Sequence, residues 1–225
     1  MSALERLKGG LIVSVQAWRG SPLDDPYVIA AMAQAAALNG AVAVRIEGRE
    51  DLRAVRARVD VPIVGLIKRE YPGFEPYITP TLAEVVEIAQ AGAEFVAFDA
   101  TARPRPGGVQ VADVIGAIHA HNRLAFADCA TEDDGNAALE LGADVVATTL
   151  CGYTRETAAQ PLPALGLVRA LAQRGAFTVC EGGVRSPAAV RAALDAGAGA
   201  VVVGTSITNV DWLVREFAGA ADRKS

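Results

Sequence analysis

One phrase recurs four times along this chain: a stretch rich in alanine and leucine, then a glycine, then an apolar run. It reads "NGAVAVRI" from Asn39, "AGAEFVAFD" from Ala91, "LGADVVATT" from Leu141 and "AGAGAVVVG" from Ala196. Gly40, Gly92, Gly142 and Gly197 suit the left-handed cap of a helix, so each phrase reads as the end of a helix followed by a strand. The repeat of about 50 residues is too long for a single strand and helix, so each interval must hold a second strand. Those strands are found at "LIVSVQ" from Leu11, "PIVGLIK" from Pro62, "LAFADC" from Leu124 and "FTVCEG" from Phe177. All eight runs are short, continuously apolar and separated by helical segments, as expected of parallel strands buried on both faces. Eight such units in 225 residues predict an α/β fold, a (β/α)8 TIM barrel, in one domain spanning residues 1–225. A doubly wound open sheet shares the alternation, but no glycine-rich turn follows the first strand.

Composition narrows the partners. A 52% hydrophobic chain with a formal net charge of only -5 predicts neither disorder nor a nucleic-acid surface. No apolar run approaches the roughly 18 residues of a membrane span, and "MSALERLKGG" lacks the apolar segment of a signal peptide. We therefore expect a cytoplasmic protein with no membrane partner. Cys129, Cys151 and Cys180 are odd in number and widely spaced, fitting neither a disulfide framework nor a zinc ribbon, and read as reduced packing residues.

Polar residues gather at the strand ends. Reading each strand to its C-terminal residue gives Gln16, Arg45, Lys68, Asp99, Asp128, Thr148 or Thr149, Glu181, and Gly204 with Thr205. The strand starts are apolar, among them Leu11, Val42, Pro62 and Leu124. Strands closed into a barrel would bring the polar set to one mouth, the face where barrel enzymes place their sites. Strand ends meeting water would also be polar, but that reading predicts polarity at both ends.

Two loops look suited to phosphate. "EGGVRSP" follows strand seven, where Gly182 and Gly183 permit close backbone approach and Ser186-Pro187 opens a helix. "GTSIT" follows strand eight with Gly204 and Thr205 entering a short helix. Unpaired N–H groups and a helix N-terminus favour an anion in these two loops. An acidic protein needs such local sites to hold one. Tight turns also use glycine for purely structural reasons.

Metal and thiol chemistry fit poorly. His119 and His121, the two histidines, lie on a predicted helix before strand five, at the far end of the barrel, and read as surface or packing residues. No cofactor motif is present, and we expect neither metal nor cofactor. Cys180 precedes Glu181 and should face outward, while no histidine is placed to activate Cys129 or Cys151.

What remains is an amine and carboxylates at a phosphate-binding mouth. The chain has three lysines, Lys8, Lys68 and Lys224, and two of them lie near the termini. Lys68, in "GLIKREYPGFEPYITPT", is internal, follows an apolar strand and precedes a long loop rich in proline and aromatic residues. Unlike arginine, a lysine can lose its proton near neutral pH when burial or a cationic neighbour such as Arg45 disfavours its charge. It then acts as a general base, with Glu181 on a distant strand handling a second proton. That set suits proton abstraction next to a carbonyl. The plainer reading of Lys68 is a solvated charge at a strand end.

The segments "SVQAWRGSPL", "VAVRIEG", "GLIKREYPGFEPYITPT", "VAFDATARPRP", "ADCATEDDGNAALELGADVVATTLCGYT", "CEGGVRSP" and "VVVGTSIT" together resemble the N-acetylmannosamine-6-phosphate 2-epimerase family, from about Gly10 to Thr208. The resemblance implies a (β/α)8 barrel that interconverts N-acetylmannosamine 6-phosphate and N-acetylglucosamine 6-phosphate at C2, without metal or nucleotide, in sialic acid catabolism. It places the catalytic lysine at Lys68 and the catalytic glutamate at Glu181, with Gln16, Arg45 and Asp128 contacting substrate. It also implies that Arg45 stabilises an enolate, that the loop after Lys68 closes over the sugar, and that the protein is a homodimer. The chain departs from the family pattern in two places. Gly183 stands where a polar or basic residue is often found, and Asn209 and Val210 stand where Ile-Thr is usually followed by Arg-Pro. Both changes remove possible phosphate contacts, and Arg185 or backbone N–H groups would have to compensate. Two alternatives stay open: a Schiff-base lyase or synthase using Lys68, and a catalytically silent sugar-phosphate sensor on the same fold. The C-terminal "DWLVREFAGA" reads as an amphipathic helix covering the barrel's own surface or a partner's.

Overall fold

A computed structural model describes residues 1–221; Lys224 falls outside them. Eight parallel strands close into a barrel in sequence order. They are β1 (Gly10–Val15), β2 (Ala41–Glu47), β3 (Ile63–Leu66), β4 (Phe95–Asp99), β5 (Leu124–Asp128), β6 (Val145–Ala147), β7 (Thr178–Cys180) and β8 (Ala200–Val203). Closure comes from β1 pairing with β8, Gly10 opposite Ala200. The helices are α1 (Ala3–Leu7), α2 (Pro26–Leu38), α3 (Arg49–Arg56), α4 (Leu82–Ala91), α5 (Val111–Ala120), α6 (Glu132–Glu140), α7 (Leu165–Gln173), α8 (Pro187–Asp195), α9 (Thr205–Thr208) and α10 (Val210–Ala221).

Side-chain alternation sorts each strand between two cores. Ile12, Ala43, Val64, Leu66, Phe95, Ala97, Phe126, Val145, Ala147, Val179, Ala200 and Val202 fill the barrel, with Phe95 edge-on to Phe126 at 6.5 Å. Alternate residues such as Val44, Ile46, Val96, Phe98 and Val146 face the helices. Each large apolar side chain sealed this way contributes about 1.5–3 kcal/mol. Leu7 of α1, fully buried, joins the inner cluster and plugs the N-terminal end. The other end is left for polar residues.

The helix boundaries follow local chemistry. Asp25 caps α2 with its side chain and Pro26 takes the first turn; Ser186 and Pro187 do the same for α8. Thr81 and Glu84 form a reciprocal capping box at α4, and Gly92 ends that helix in the left-handed conformation. One glycine serves packing instead. At Gly65 in β3 an added Cβ would lie 2.6 Å from Ile88 of α4 and 2.7 Å from Leu52 of α3, so both helices sit directly on this strand.

The helix α10 behaves differently. None of its residues is fully buried: its first turn touches the barrel through Asp211, which accepts from Ser21 Oγ at 2.7 Å, while Val214 and Phe217 further along are 60% and 76% exposed.

Candidate active site

The predicted ring of polar residues forms, but at two depths. Strand β2 runs past Arg45 to Glu47, so Arg45 lies inside the barrel rather than at its lip. Its side chain is only 2% exposed, with the guanidinium over the Phe126 ring at 5.4 Å. Nη1 donates to Asp128 Oδ1 at 3.0 Å and to Glu181 Oε2 at 2.8 Å, and Nη2 donates to Asp128 Oδ2 at 2.6 Å. The fork-to-fork match is the geometry in which arginine holds a carboxylate most firmly. Thr149 of the loop after β6 adds its hydroxyl, 2.6 Å from Asp128 Oδ1 and 3.2 Å from Glu181 Oε2. Thr148 fixes the backbone of Glu181, accepting from its N–H at 3.1 Å and donating to its carbonyl at 2.9 Å.

The electrostatics follow from depth. Burial disfavours the Arg45 charge, but Asp128 and Glu181 outweigh it and raise its pKa. For Glu181 burial dominates and raises the carboxyl pKa, with Asp128 pushing the same way, while Arg45, Thr149 and Lys68 pull it down. Glu181 thus has a carboxyl pKa raised above its ordinary value, and it is 16% exposed at the mouth.

Lys68 stands higher. It lies two residues beyond β3, and its side chain is 42% exposed. Nζ donates to Gln16 Oε1 at 2.5 Å, and Gln16 Nε2 donates to Ser14 Oγ at 2.9 Å. Glu47 Oε2 lies 3.7 Å from the amine. Neither deep burial nor a cationic neighbour surrounds Lys68. The guanidinium expected to repel it is engaged by Asp128 and Glu181, and the nearest charge is the Glu47 carboxylate. Sequence reasoning passed over Glu47. The period of two from Ala43 through Arg45 to Glu47 is the signal that would have placed it on the inner face.

Asp99 reaches the same ring but is used structurally. Its carboxylate accepts from Thr101 N at 2.9 Å, Thr101 Oγ1 at 2.6 Å and Arg103 Nη2 at 2.7 Å, bracing the loop after β4.

The loop after Lys68 is fastened at its base. Lys68 pairs with Ile78 in an antiparallel bridge, flanked by Arg69 N donating to Tyr77 O at 2.9 Å and Thr79 N to Ile67 O at 2.7 Å. Arg69 Nη1 and the Tyr71 hydroxyl both donate to buried Glu84, at 2.6 and 2.8 Å. Pro72, Gly73, Phe74 and Glu75 remain exposed at the tip.

On the opposite rim, Gly182 and Gly183 both take positive φ, at 105° and 69°. The loops after β7 and β8 are joined by Ser206 Oγ donating to Val184 O at 3.2 Å, and Thr208 Oγ1 donates to Ser14 O at 2.8 Å. Gly204 precedes α9 and Thr205 opens it. The two departures in sequence have local causes. A Cβ on Gly183 would fall 2.4 Å from Leu162 Cβ, so the loop after β6 occupies that space. Asn209 begins α10, accepting from Trp212 N at 2.9 Å. The Arg185 guanidinium lies over the Trp212 ring at 5.4 Å.

The remaining candidates lie apart from the mouth. His119 Nε2 is 2.8 Å from Asp144 Oδ2, and His121 Nδ1 is 2.8 Å from Ala117 O, at the N-terminal end of β5. Cys180 faces the helices beside Val168 and Ala193, and burial raises its thiol pKa to about 11. Among the described residues no group of three or more His, Cys, Asp or Glu side chains is placed to hold a metal ion, and no helix is long and apolar enough to cross a membrane.

A closed parallel barrel with an amine, a carboxyl of raised pKa and small-residue loops at its C-terminal mouth defines the class: a TIM-barrel enzyme suited to proton transfer. Residues 29–223 match the model of the NanE family, described as "Putative N-acetylmannosamine-6-phosphate epimerase". The chain belongs to that family. It is 48% identical over 219 residues to a "Putative N-acetylmannosamine-6-phosphate 2-epimerase" of Salmonella arizonae, covering 95% of this chain and 94% of that one. A protein of the same description from Thermosynechococcus vestitus is 46% identical over 222 residues, covering 98% and 96%. The solved N-acetylmannosamine-6-phosphate 2-epimerase from Clostridium perfringens superposes with a TM-score of 0.94 at 39% identity, covering 98% of this chain and 96% of that one.

Proposed function

We propose that this protein interconverts N-acetylmannosamine 6-phosphate and N-acetylglucosamine 6-phosphate by moving a proton at C2, working in sialic acid catabolism in the cytoplasm as one barrel domain. The observation that carries this reading is the pairing, at one mouth, of a solvent-reached amine on Lys68 with a buried carboxyl on Glu181 whose pKa is raised. In the open-chain sugar the C2 proton is acidified by the C1 aldehyde. Lys68 as base takes that proton, the C–H electron pair forms the C1–C2 enolate, and Glu181 as acid returns a proton to the other face. In the reverse direction the glutamate is the base and the ammonium the acid. Arg45 holds Glu181 and Asp128 in place, while Gln16 steers the amine. The phosphate is assigned to the backbone around Gly182, Gly183, Gly204 and Thr205, whose positive-φ glycines and helix start leave N–H groups for an anion.

The apolar side of α10, with Val214 and Phe217 in water, supports a homodimer in which a second copy covers this helix. The catalytic reading is tested by incubating the protein with N-acetylmannosamine 6-phosphate in heavy water and following C2 by proton NMR. The C2 signal should disappear as the glucosamine isomer appears; an unchanged spectrum sinks the proposal.

A further inference from the structure

The proton transfer leaves one charge without an evident partner. When C2 loses its proton, negative charge develops on the C1 oxygen, and preorganised donors at that position are usually the largest catalytic contribution. The donors at the mouth are mostly committed. Both terminal nitrogens of Arg45 are bound to carboxylates, the Thr149 hydroxyl faces Asp128 and Glu181, and Gln16 Nε2 donates to Ser14. The Lys68 amine is the base.

Left without a partner among the described residues are Arg45 Nε, sealed from solvent inside the barrel, and the hydroxyl of the partly buried Tyr77. The Tyr77 ring packs against the barrel-interior cluster that holds Leu66 and Phe126, and none of the hydrogen bonds among the described residues involves its hydroxyl. Its position is set by the strongest part of the loop after β3. The Tyr77 carbonyl accepts from Arg69 N at 2.9 Å, and the next residue, Ile78, bridges Lys68. The residue paired with the base is thus Ile78, and Tyr77 is its neighbour in the chain, fixed at its carbonyl by Arg69. Its hydroxyl also lies within the fields of Asp128, Arg45, Asp99 and Arg103, which surround the mouth. A phenol there is neutral, carries one free proton and costs nothing to reorient charge around.

Building on the epimerase reading above, we propose that Tyr77 is a catalytic residue, its hydroxyl donating to the C1 oxygen as the enolate forms. Burial of the ring, with the Asp128 charge, raises the phenol pKa, so the group stays a donor across the working range of the enzyme.

The test is Tyr77→Phe, which removes the donor and keeps the ring, compared with wild type in the heavy-water assay and in thermal unfolding. Expected is a loss in kcat of about 10²-fold, with a slowed C2 exchange to match, KM within about twofold and Tm unchanged. Wild-type turnover with a variant kcat within about twofold of it overturns the Tyr77 assignment and leaves the epimerase reading standing. A raised KM at unchanged kcat, or a loss of activity that only follows a fallen Tm, overturns it equally, because the hydroxyl would then bind or brace rather than stabilise the enolate. A wild type that leaves the C2 proton in place sinks the epimerase reading, and the Tyr77 role with it.

Discussion

Two charge clusters share the mouth of this barrel and are held in opposite ways. Arg45 and Asp128 are buried, Glu181 is largely so, and three hydrogen bonds from one guanidinium join them. Lys68 has one hydrogen bond, to Gln16, and a carboxylate at 3.7 Å, with two-fifths of its side chain in water. The first arrangement fixes geometry; the second leaves the amine few contacts to hold it in one position. The difference also separates stability from activity: the buried cluster should govern folding, and the exposed one turnover.

Substituting Lys68 should break activity alone. Lys68→Ala is expected to lower kcat/KM by about 10³-fold or more, with thermal or urea unfolding within about 0.5 kcal/mol of wild type, because the lost contacts are few and solvated. Arg45→Met should do the reverse first. It strands Asp128 and Glu181 as uncompensated buried carboxylates, and breaking a buried pair from one side costs about 3–5 kcal/mol, readable as a fall in the urea midpoint. If Arg45→Met left stability intact, the division between the clusters would be lost.

The smallest effect concerns the acidic fringe on the lysine side. Burial, then Asp24, Glu47, Glu50 and Asp25, push the Asp51 pKa to about 6. A carboxyl raised in the folded state holds its proton better folded than unfolded, so its ionisation costs stability as pH rises from about 4 to 6 and the deficit stays level above. Asp51→Asn should therefore stabilise by about 1 kcal/mol at pH 8, after discounting for solvent screening of a half-exposed group, and by little near pH 4. Paired Tm measurements at the two pH values check this.

The fold was legible because each strand is an apolar run bounded by a helix end and a cap. Those are local signals, and the barrel follows from counting them. The residues of the mouth were legible for the same reason, each being the polar break in such a run. Depth was not. Whether Arg45 lies at the lip or one layer below depends on how far β2 continues, and its last polar residues, Arg45 and Glu47, look alike in sequence. Glu47 was therefore missed, and Lys68 was expected beside a cation rather than a carboxylate. Tyr77 did not stand out in sequence because it belongs to a loop, which the Lys68–Ile78 bridge and its flanking backbone bonds fasten over the barrel. The loop was expected to close over the sugar; its base is clipped to Glu84, and the exposed tip from Pro72 to Glu75 is the part free of that clip.

Gly65 carries a consequence for the whole molecule. It stands three positions upstream of Lys68, and its missing methyl lets two helices rest on the strand from outside. Any added bulk there, from a side chain or from a wedge between α3 and α4, would shove the strand inward and swing the amine off target. The exterior of the barrel thus holds a remote lever on chemistry conducted at its opening, with no route through the sugar pocket at all.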